Sequence, residues 1–244
     1  TGMSYFDPAI TFEMAQANQV CPFEVSLELI DQADVIVCDY NYIFDPYVGL
    51  KAYQQENDYG DCVLVVDEAH NLVDRGRAYF SPELHEKSFD LIRNHMMGRN
   101  CWVEGWEELI EMLRGHFEEL GAALSPEMNQ ALCSPDRELF IEQRVEWERI
   151  VLAYIGWKIE NRIAEEEDPL IDFYFKLVKF TNLLSEAGDE FANLIERTPD
   201  GLKLKIFCKD PSRHLGLIFD SAHATVALSA TLEPFDFYRK TLGF

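Results

Sequence analysis

The sequence is short of positive charge. It carries 21 Lys and Arg against 44 Asp and Glu, a formal net charge of -23. Phosphate contacts dominate nucleic-acid affinity, so a chain that grips DNA by its own surface normally presents a basic face. This balance argues against tight nucleic-acid binding by the segment alone. Long apolar runs are also missing. No stretch approaches the ~20 residues that a membrane-crossing helix needs, and no secretory leader pattern is read at the start. Cysteine is sparse and scattered, at Cys21, Cys38, Cys62, Cys101, Cys133 and Cys208, with no C-x-x-C pair. The expectation is reduced thiols in a cytoplasmic protein with no membrane partner. The pattern G-x-x-x-x-G-K-[ST] does not occur, so these residues hold no glycine-rich cradle and no lysine for nucleotide phosphates. Internal repeats and low-complexity linkers are absent as well.

What is present describes a globular chain. Hydrophobic residues make up 48% and aromatics 13% of the 244 residues, enough for one large or two modest domains with a real core. The first part alternates between helix and strand. Residues 22–32 place Phe23, Leu27 and Ile30 at helical spacing. Residues 34–38 read as a short buried strand. Residues 41–55 resume a mostly helical pattern, with Pro46 in the first turn. After a turn at 58–61, residues 62–66 form an apolar strand too uniform to be half-exposed, with Cys38 and Cys62 as ordinary buried residues. Buried strands separated by helices indicate an α/β class with a parallel sheet.

The middle is helical. Between about 81 and 187 almost no strand signal is found. Ser81-Pro82-Glu83, Ser125-Pro126-Glu127 and Ser134-Pro135-Asp136 each read as a helix start, and Asp168-Pro169 opens a last helix ending near Gly188. Trp106, Leu109, Ile110 and Leu113 share one face. Phe140, Val145, Trp147, Ile150, Val151 and Tyr154 make a broad apolar side, and Phe173, Leu177, Phe180 and Leu184 form a stripe. Four or five helices are expected. Strand character then returns. Residues 190–197 and 202–209 flank Thr198-Pro199-Asp200-Gly201 as a hairpin. A helix at 211–222, a buried strand at 225–228 and a closing helix at 234–242 follow.

The segment Val65-Val66-Asp67-Glu68-Ala69-His70 carries the strongest chemistry. It is an apolar strand ending in two acids and a histidine. In α/β sheets, ligands collect at the carboxyl ends of strands. A carboxylate there can hold Mg²⁺, largely through waters, and a neighbouring Glu can orient or deprotonate an attacking water.

This DEAH box, a Walker B motif, resembles that of superfamily 2 helicases, and the chain looks like the XPD/DinG group of iron-sulfur helicases across their DEAD_2 region. Three further stretches carry the resemblance: Cys21-Pro22-Phe23-Glu24; the run from Ala33 to Pro46; and Phe207 to Ser212 together with Leu228-Ser229-Ala230-Thr231-Leu232-Glu233-Pro234. The Ser-Ala-Thr form looks more bacterial than eukaryotic. The resemblance implies a partial RecA-like parallel sheet, an incomplete first motor domain made from residues 1–75 and 206–244. It also implies a mostly helical arch domain inserted at 76–205. Asp67 would hold Mg²⁺ with ATP, and Glu68 would act on the hydrolytic water. His70, Ser229 and Thr231 would couple the nucleotide state to DNA. Cys21 would be one ligand of a 4Fe-4S cluster in the full-length protein only.

DNA, taken as a single strand in the 5′ to 3′ sense, and protein partners at the arch are the implied partners. DNA repair or replication is the implied setting. The chain reads as an internal fragment, inactive alone without the phosphate loop and the second motor domain. Arg93, Arg99, Trp102, Arg114 and Arg162 are the insertion's candidates for touching a strand. Composition favours an alternative, a non-enzymatic acidic helical interaction module. A metal-dependent hydrolase built on Asp67, Glu68 and His70 is disfavoured, because no H-x-x-x-H or second ligand cluster accompanies them.

Overall fold

The computed structural model describes residues 5–49, 59–101, 103–165, 167–186 and 188–244. The chain divides into two compact units, 1–59 and 60–244. In the first unit, helix α1 spans Pro8–Asn18. Asp7 caps it by accepting the Ile10 N–H at 2.8 Å, and Pro8 takes the first helical position, where no donor is needed. Helix α2 spans Pro22–Ile30, directly after Cys21, close to the expected helix.

Two expectations fail here. Residues 34–38 form no strand, and Val37 is 94% exposed. A strand satisfies its backbone only beside another strand, and none pairs with this segment among the described residues; Cys38 is exposed with it. Of the helix expected over 41–55, the described residues 41–49 hold only α3, Asn41–Phe44. Asp45 then turns extended, at φ -83° and ψ 116°, because the following Pro46 crowds the helical conformation of the residue before it. The remainder of that reading, and the start of the turn at 58, lie outside the described residues.

The second unit is mixed α/β, with a two-stranded parallel sheet and a four-stranded antiparallel one. Strand β1, Tyr59–Val66, is followed by a short 3-10 turn at Ala69–Asn71 and helix α4, Leu72–Tyr79. Next come β2, Glu83–His85; α5, Lys87–Gly98; α6, Trp106–Gly121; and β3, Gln130–Leu132. Helices α7, Arg137–Asn161, and α8, Pro169–Glu186, precede the hairpin β4, Phe191–Thr198, and β5, Gly201–Cys208. The chain closes with α9, Ser212–Ser221; β6, Ala222–Ala227; and α10, Phe235–Leu242.

The expected hairpin is present, but it is the centre of a larger sheet ordered β2-β5-β4-β3. Ser81-Pro82-Glu83 is therefore not a helix start. Leu84 pairs with Leu204 on the edge strand β2, and the Pro82 carbonyl accepts the Ile206 N–H at 3.1 Å. Ser125-Pro126-Glu127 is likewise a turn leading into β3, which pairs antiparallel with β4. The third Ser-Pro motif does precede a helix, with Asp136 rather than Ser134 as its cap. A capping signal is a local preference of about 1 kcal/mol. An available sheet edge overrides it.

One hydrophobic core lies between this sheet and helices α5 to α8. Phe89, Ile110, Phe117, Phe140, Trp147, Phe173 and Phe180 are all fully buried in it. Phe173 meets both Phe89 and Trp147 edge-on, at 5.7 and 5.4 Å between centroids. The expected faces of the helices at 106–113 and 173–184 are buried as read, but Val145 points outward from α7.

The core's border holds a charged network. Asp168 accepts from the Tyr154 hydroxyl at 2.9 Å and from Lys158 Nζ at 2.6 Å, and His95 Nε2 lies 2.7 Å from the Tyr154 oxygen. Arg99 pairs with Glu165. Burial holds His95 below the ordinary imidazole range, and Arg99 adds to this against the opposing pull of Asp168 and Glu165. The unfolded chain thus takes up a proton at this residue before the folded chain does. Stability should fall as the pH drops below about 6.5. His214, lowered chiefly by burial, acts in the same direction. The thermal midpoint is expected to fall between pH 7.5 and 5.5, and less so in His95→Gln. An equal fall in both proteins would remove His95 from the account.

Candidate functional site

The site forms where β1 and β6 run side by side. The Leu228 N–H donates to the Val66 carbonyl at 2.8 Å, and the Ala69 N–H donates to the Leu228 carbonyl at 2.9 Å. These two bonds set the end of one strand against the end of the other. Asp67 and Glu68 follow β1 directly and are exposed to solvent. Glu68 sits in the left-handed region at φ 47°, unusual for a residue with a Cβ. Its N–H donates to Asp67 Oδ1 at 2.9 Å. The kink turns the chain out of the strand and into the 3-10 turn that holds His70.

His70 reaches across to the other strand end. Its Nδ1 lies 2.8 Å from Ser229 Oγ and 3.3 Å from Glu68 Oε2. A hydroxyl both donates and accepts, so the first contact is a hydrogen bond whichever ring nitrogen carries the proton. Ser229 Oγ also accepts the Thr231 N–H at 3.2 Å. Five residues singled out from sequence therefore belong to one locus: Asp67, Glu68 and His70 on one side, Ser229 and Thr231 on the other.

Packing beneath the site fixes it. Ala69 and Leu72 are fully buried. Gly76 in α4 lies against α9, where a Cβ would meet Leu215 Cδ1 at 3.0 Å and Pro211 Cβ at 3.1 Å. The helix after the acidic tetrapeptide is thus seated on the helix that leads into β6. At the same N-terminal end of α9, Gly243 at φ +85° approaches the Ser212 carbonyl so closely that a Cβ would stand 2.2 Å from the oxygen.

The strands were expected to be buried on both faces, and they are not. Val63, Val65, Val226 and Leu228 are exposed, Val65 by 65%, and Cys62 is half-buried. Among the described residues the sheet has only these two strands, covered on one side. Sequence reasoning also missed the left-handed Glu68. No residue type announces it, since glycine or asparagine is the usual signal.

Cys21 is exposed at the start of α2. Among the described residues no group of three or more metal-binding side chains includes it. One thiol does not fit an iron-sulfur cluster, which takes about four ligands. The one such group found, His95 with Glu165 and Asp168, is already engaged by Lys158 and Arg99. Cations so placed compete with a metal for the same oxygens. Arg93 and Arg114 are also committed, to Glu111 and to Glu86 and Asp90. Trp102 lies outside the described residues. No helix among the described residues is long and apolar enough to cross a membrane.

Residues 6–89 match the family model DEAD_2. Over 91% of its length the chain is 23% identical to the ATP-dependent DNA helicase CHL1 of Candida glabrata, covering 29% of that protein. A stretch covering 38% of the chain is 32% identical to the Fanconi anemia group J protein homolog of Gallus gallus, over 8% of that protein. Another, 30% of the chain, is 36% identical to the regulator of telomere elongation helicase 1 homolog of Culex quinquefasciatus. The structure of S. tokodaii Xpd4 shares the fold with a TM-score of 0.50, at 16% identity, over 90% of this chain and 46% of that one. The chain spans less than a third of the length of the curated relatives it matches. The chain is similar in part to ATP-dependent DNA helicases.

Proposed function

We propose that the chain is an internal part of an XPD/DinG-type DNA helicase, carrying the metal-and-water side of the ATPase site and the elements that couple it to DNA. One observation carries this reading. His70 and Ser229, 159 residues apart, are hydrogen-bonded at 2.8 Å beside the two acids of the DEAH box. Residues 1–75 and 206–244 would belong to the first, RecA-like motor domain, and 76–205 to the inserted arch. The exposed apolar face of β1 and β6 is consistent with further strands or helices of that domain supplied by the rest of a longer protein.

In this reading Asp67 holds Mg²⁺ on the nucleotide. That ion supplies charge neutralisation at the β- and γ-phosphates when bound. Glu68 orients the attacking water and takes its proton. The remaining requirements, a phosphate-binding lysine and an arginine from a second motor domain, would come from outside this chain. Cys21 would serve as one iron-sulfur ligand only together with cysteines from the rest of the protein. The protein would act in the cytoplasm on single-stranded DNA, in the 5′ to 3′ sense, in repair or replication.

Ser229 tests the coupling role. Ser229→Ala removes both the acceptor of the Thr231 N–H and the partner of His70, without touching Asp67 or Glu68. In the longer protein, basal ATP turnover is expected to persist while DNA-stimulated turnover falls about tenfold and unwinding is lost. If stimulation survives intact, the Ser229–His70 contact is structural and not a coupling element.

A further inference from the structure

The helical part of the chain, between α4 and α9, leaves the strand-end site and returns to it through one junction. It leaves at Phe80, the residue that ends α4, and returns between Cys208, the last residue of β5, and Ser212, the first of α9. The two crossings are tied to each other. The Cys208 N–H donates to Ser81 Oγ at 3.0 Å, and the Ile206 N–H donates to the Pro82 carbonyl at 3.1 Å. Both flanking helices are also attached to the site. The turn that holds His70 runs straight into α4, and α9 runs straight into β6, which ends just before Ser229. With Gly76 seated on Leu215 and Pro211, α4 and α9 have no room to shift separately.

One ring sits where these paths meet. His214, in the first turn of α9, stacks on Phe80 with 4.2 Å between ring centroids and 21° between planes. It also meets Phe191, the first residue of β4, at 5.6 Å and 55°. Phe80 and Phe191 both belong to the core shared by the four-stranded sheet and helices α5 to α8. The ring thus joins the helix leading to Ser229, the end of the helix leading from His70, and the central hairpin of the sheet. His214 Nε2 is buried and has no hydrogen-bond partner among the described residues. The junction therefore uses the face of the ring and not this nitrogen.

We propose that His214 is a positioning residue, which carries the state of the His70–Ser229 pair to the helical part of the chain through its stack on Phe80 and its contact with Phe191. This rests on the helicase reading above and adds to it the route by which the helical part senses the nucleotide site. None of the residues on this route touches Asp67 or Glu68.

The test is made in the longer protein with His214→Ala, with His214→Phe, with Ser229→Ala, and with Ser229→Ala and His214→Ala together. Basal ATP turnover, turnover stimulated by single-stranded DNA, and the thermal midpoint are measured for each, with turnover read below every midpoint. In His214→Ala, basal turnover is expected to stay within about twofold while the stimulated rate falls about tenfold. His214→Phe keeps the ring face and should keep stimulation. Its midpoint should be no lower, because it removes a buried unpaired nitrogen. The double variant should lose no more stimulation than the more damaging single change, as positions on one route do. Stimulation that survives in His214→Ala overturns the proposal, as does a basal rate that falls in step with the stimulated one. Loss of stimulation in His214→Phe, or losses that add in the double variant, would also overturn it. In those cases a decoupled Ser229→Ala leaves the helicase reading standing. If the unsubstituted longer protein shows no stimulation by DNA, that reading fails and the proposal falls with it.

Discussion

Glu68→Gln in the longer protein is expected to cut ATP turnover by about 10²-fold or more while leaving ATP binding in place. The amide keeps the size and the hydrogen-bonding reach of the side chain but cannot accept a proton from water. The left-handed backbone at this position, φ 47°, points to a residue held for its placement and not for local comfort. Glu68 also lies 3.3 Å from His70, so the change should weaken that contact without breaking the His70–Ser229 bond. Asp67→Asn is expected to differ in kind, by raising the Mg²⁺ concentration needed for turnover. Nucleotide binding measured beside steady-state hydrolysis separates the two effects. Unchanged hydrolysis in Glu68→Gln would remove Glu68 from the chemistry.

Asp168→Ala is expected to be the most damaging single change in the helical part of the chain, at about 3–5 kcal/mol. The side chain is buried and performs two tasks. Oδ2 accepts from Lys158 and Tyr154, and Oδ1 accepts the Leu170 and Ile171 N–H groups at 3.2 and 3.3 Å, opening α8. Burial alone would raise this carboxyl. The bonds from Lys158, Tyr154 and the Ile171 N–H outweigh it and hold the carboxyl below its ordinary range. Alanine strands a half-buried ammonium and a phenol, and removes a helix cap worth about 1 kcal/mol besides. Asp168→Asn keeps the cap and loses the ion pair, so it should fall between the two. Because the carboxyl is lowered, its share of stability is present above about pH 4 and is lost as the pH falls through its folded value. Chemical denaturation of the three proteins at neutral pH checks the order. A loss of less than about 1 kcal/mol in Asp168→Ala would show the network to be dispensable.

The acidic tetrapeptide and the Ser-Ala-Thr segment were legible because each follows an apolar strand, and both strands were expected in one sheet, where they lie. Helical periodicity gave the buried faces at Trp106 to Leu113 and Phe173 to Leu184, since burial follows the 3.6-residue repeat. Three things were hidden. Short edge strands such as Glu83–His85 have too few residues for a period and carry a helix-start signal. The apolar run at 34–38 looks like a strand, but strand formation needs a neighbour that sequence cannot see. The run at 62–66 is a strand, yet one face of it is open, because uniform apolarity reports how a sheet can be covered and not what covers it.

The most direct measurement is ATP hydrolysis with and without single-stranded DNA, made on this chain and on the longer protein that would contain it. The account predicts no turnover from the 244 residues under either condition, and DNA-stimulated turnover from the longer protein. Asp67-dependent hydrolysis by the chain alone, or turnover in the longer protein that ignores DNA, would contradict it.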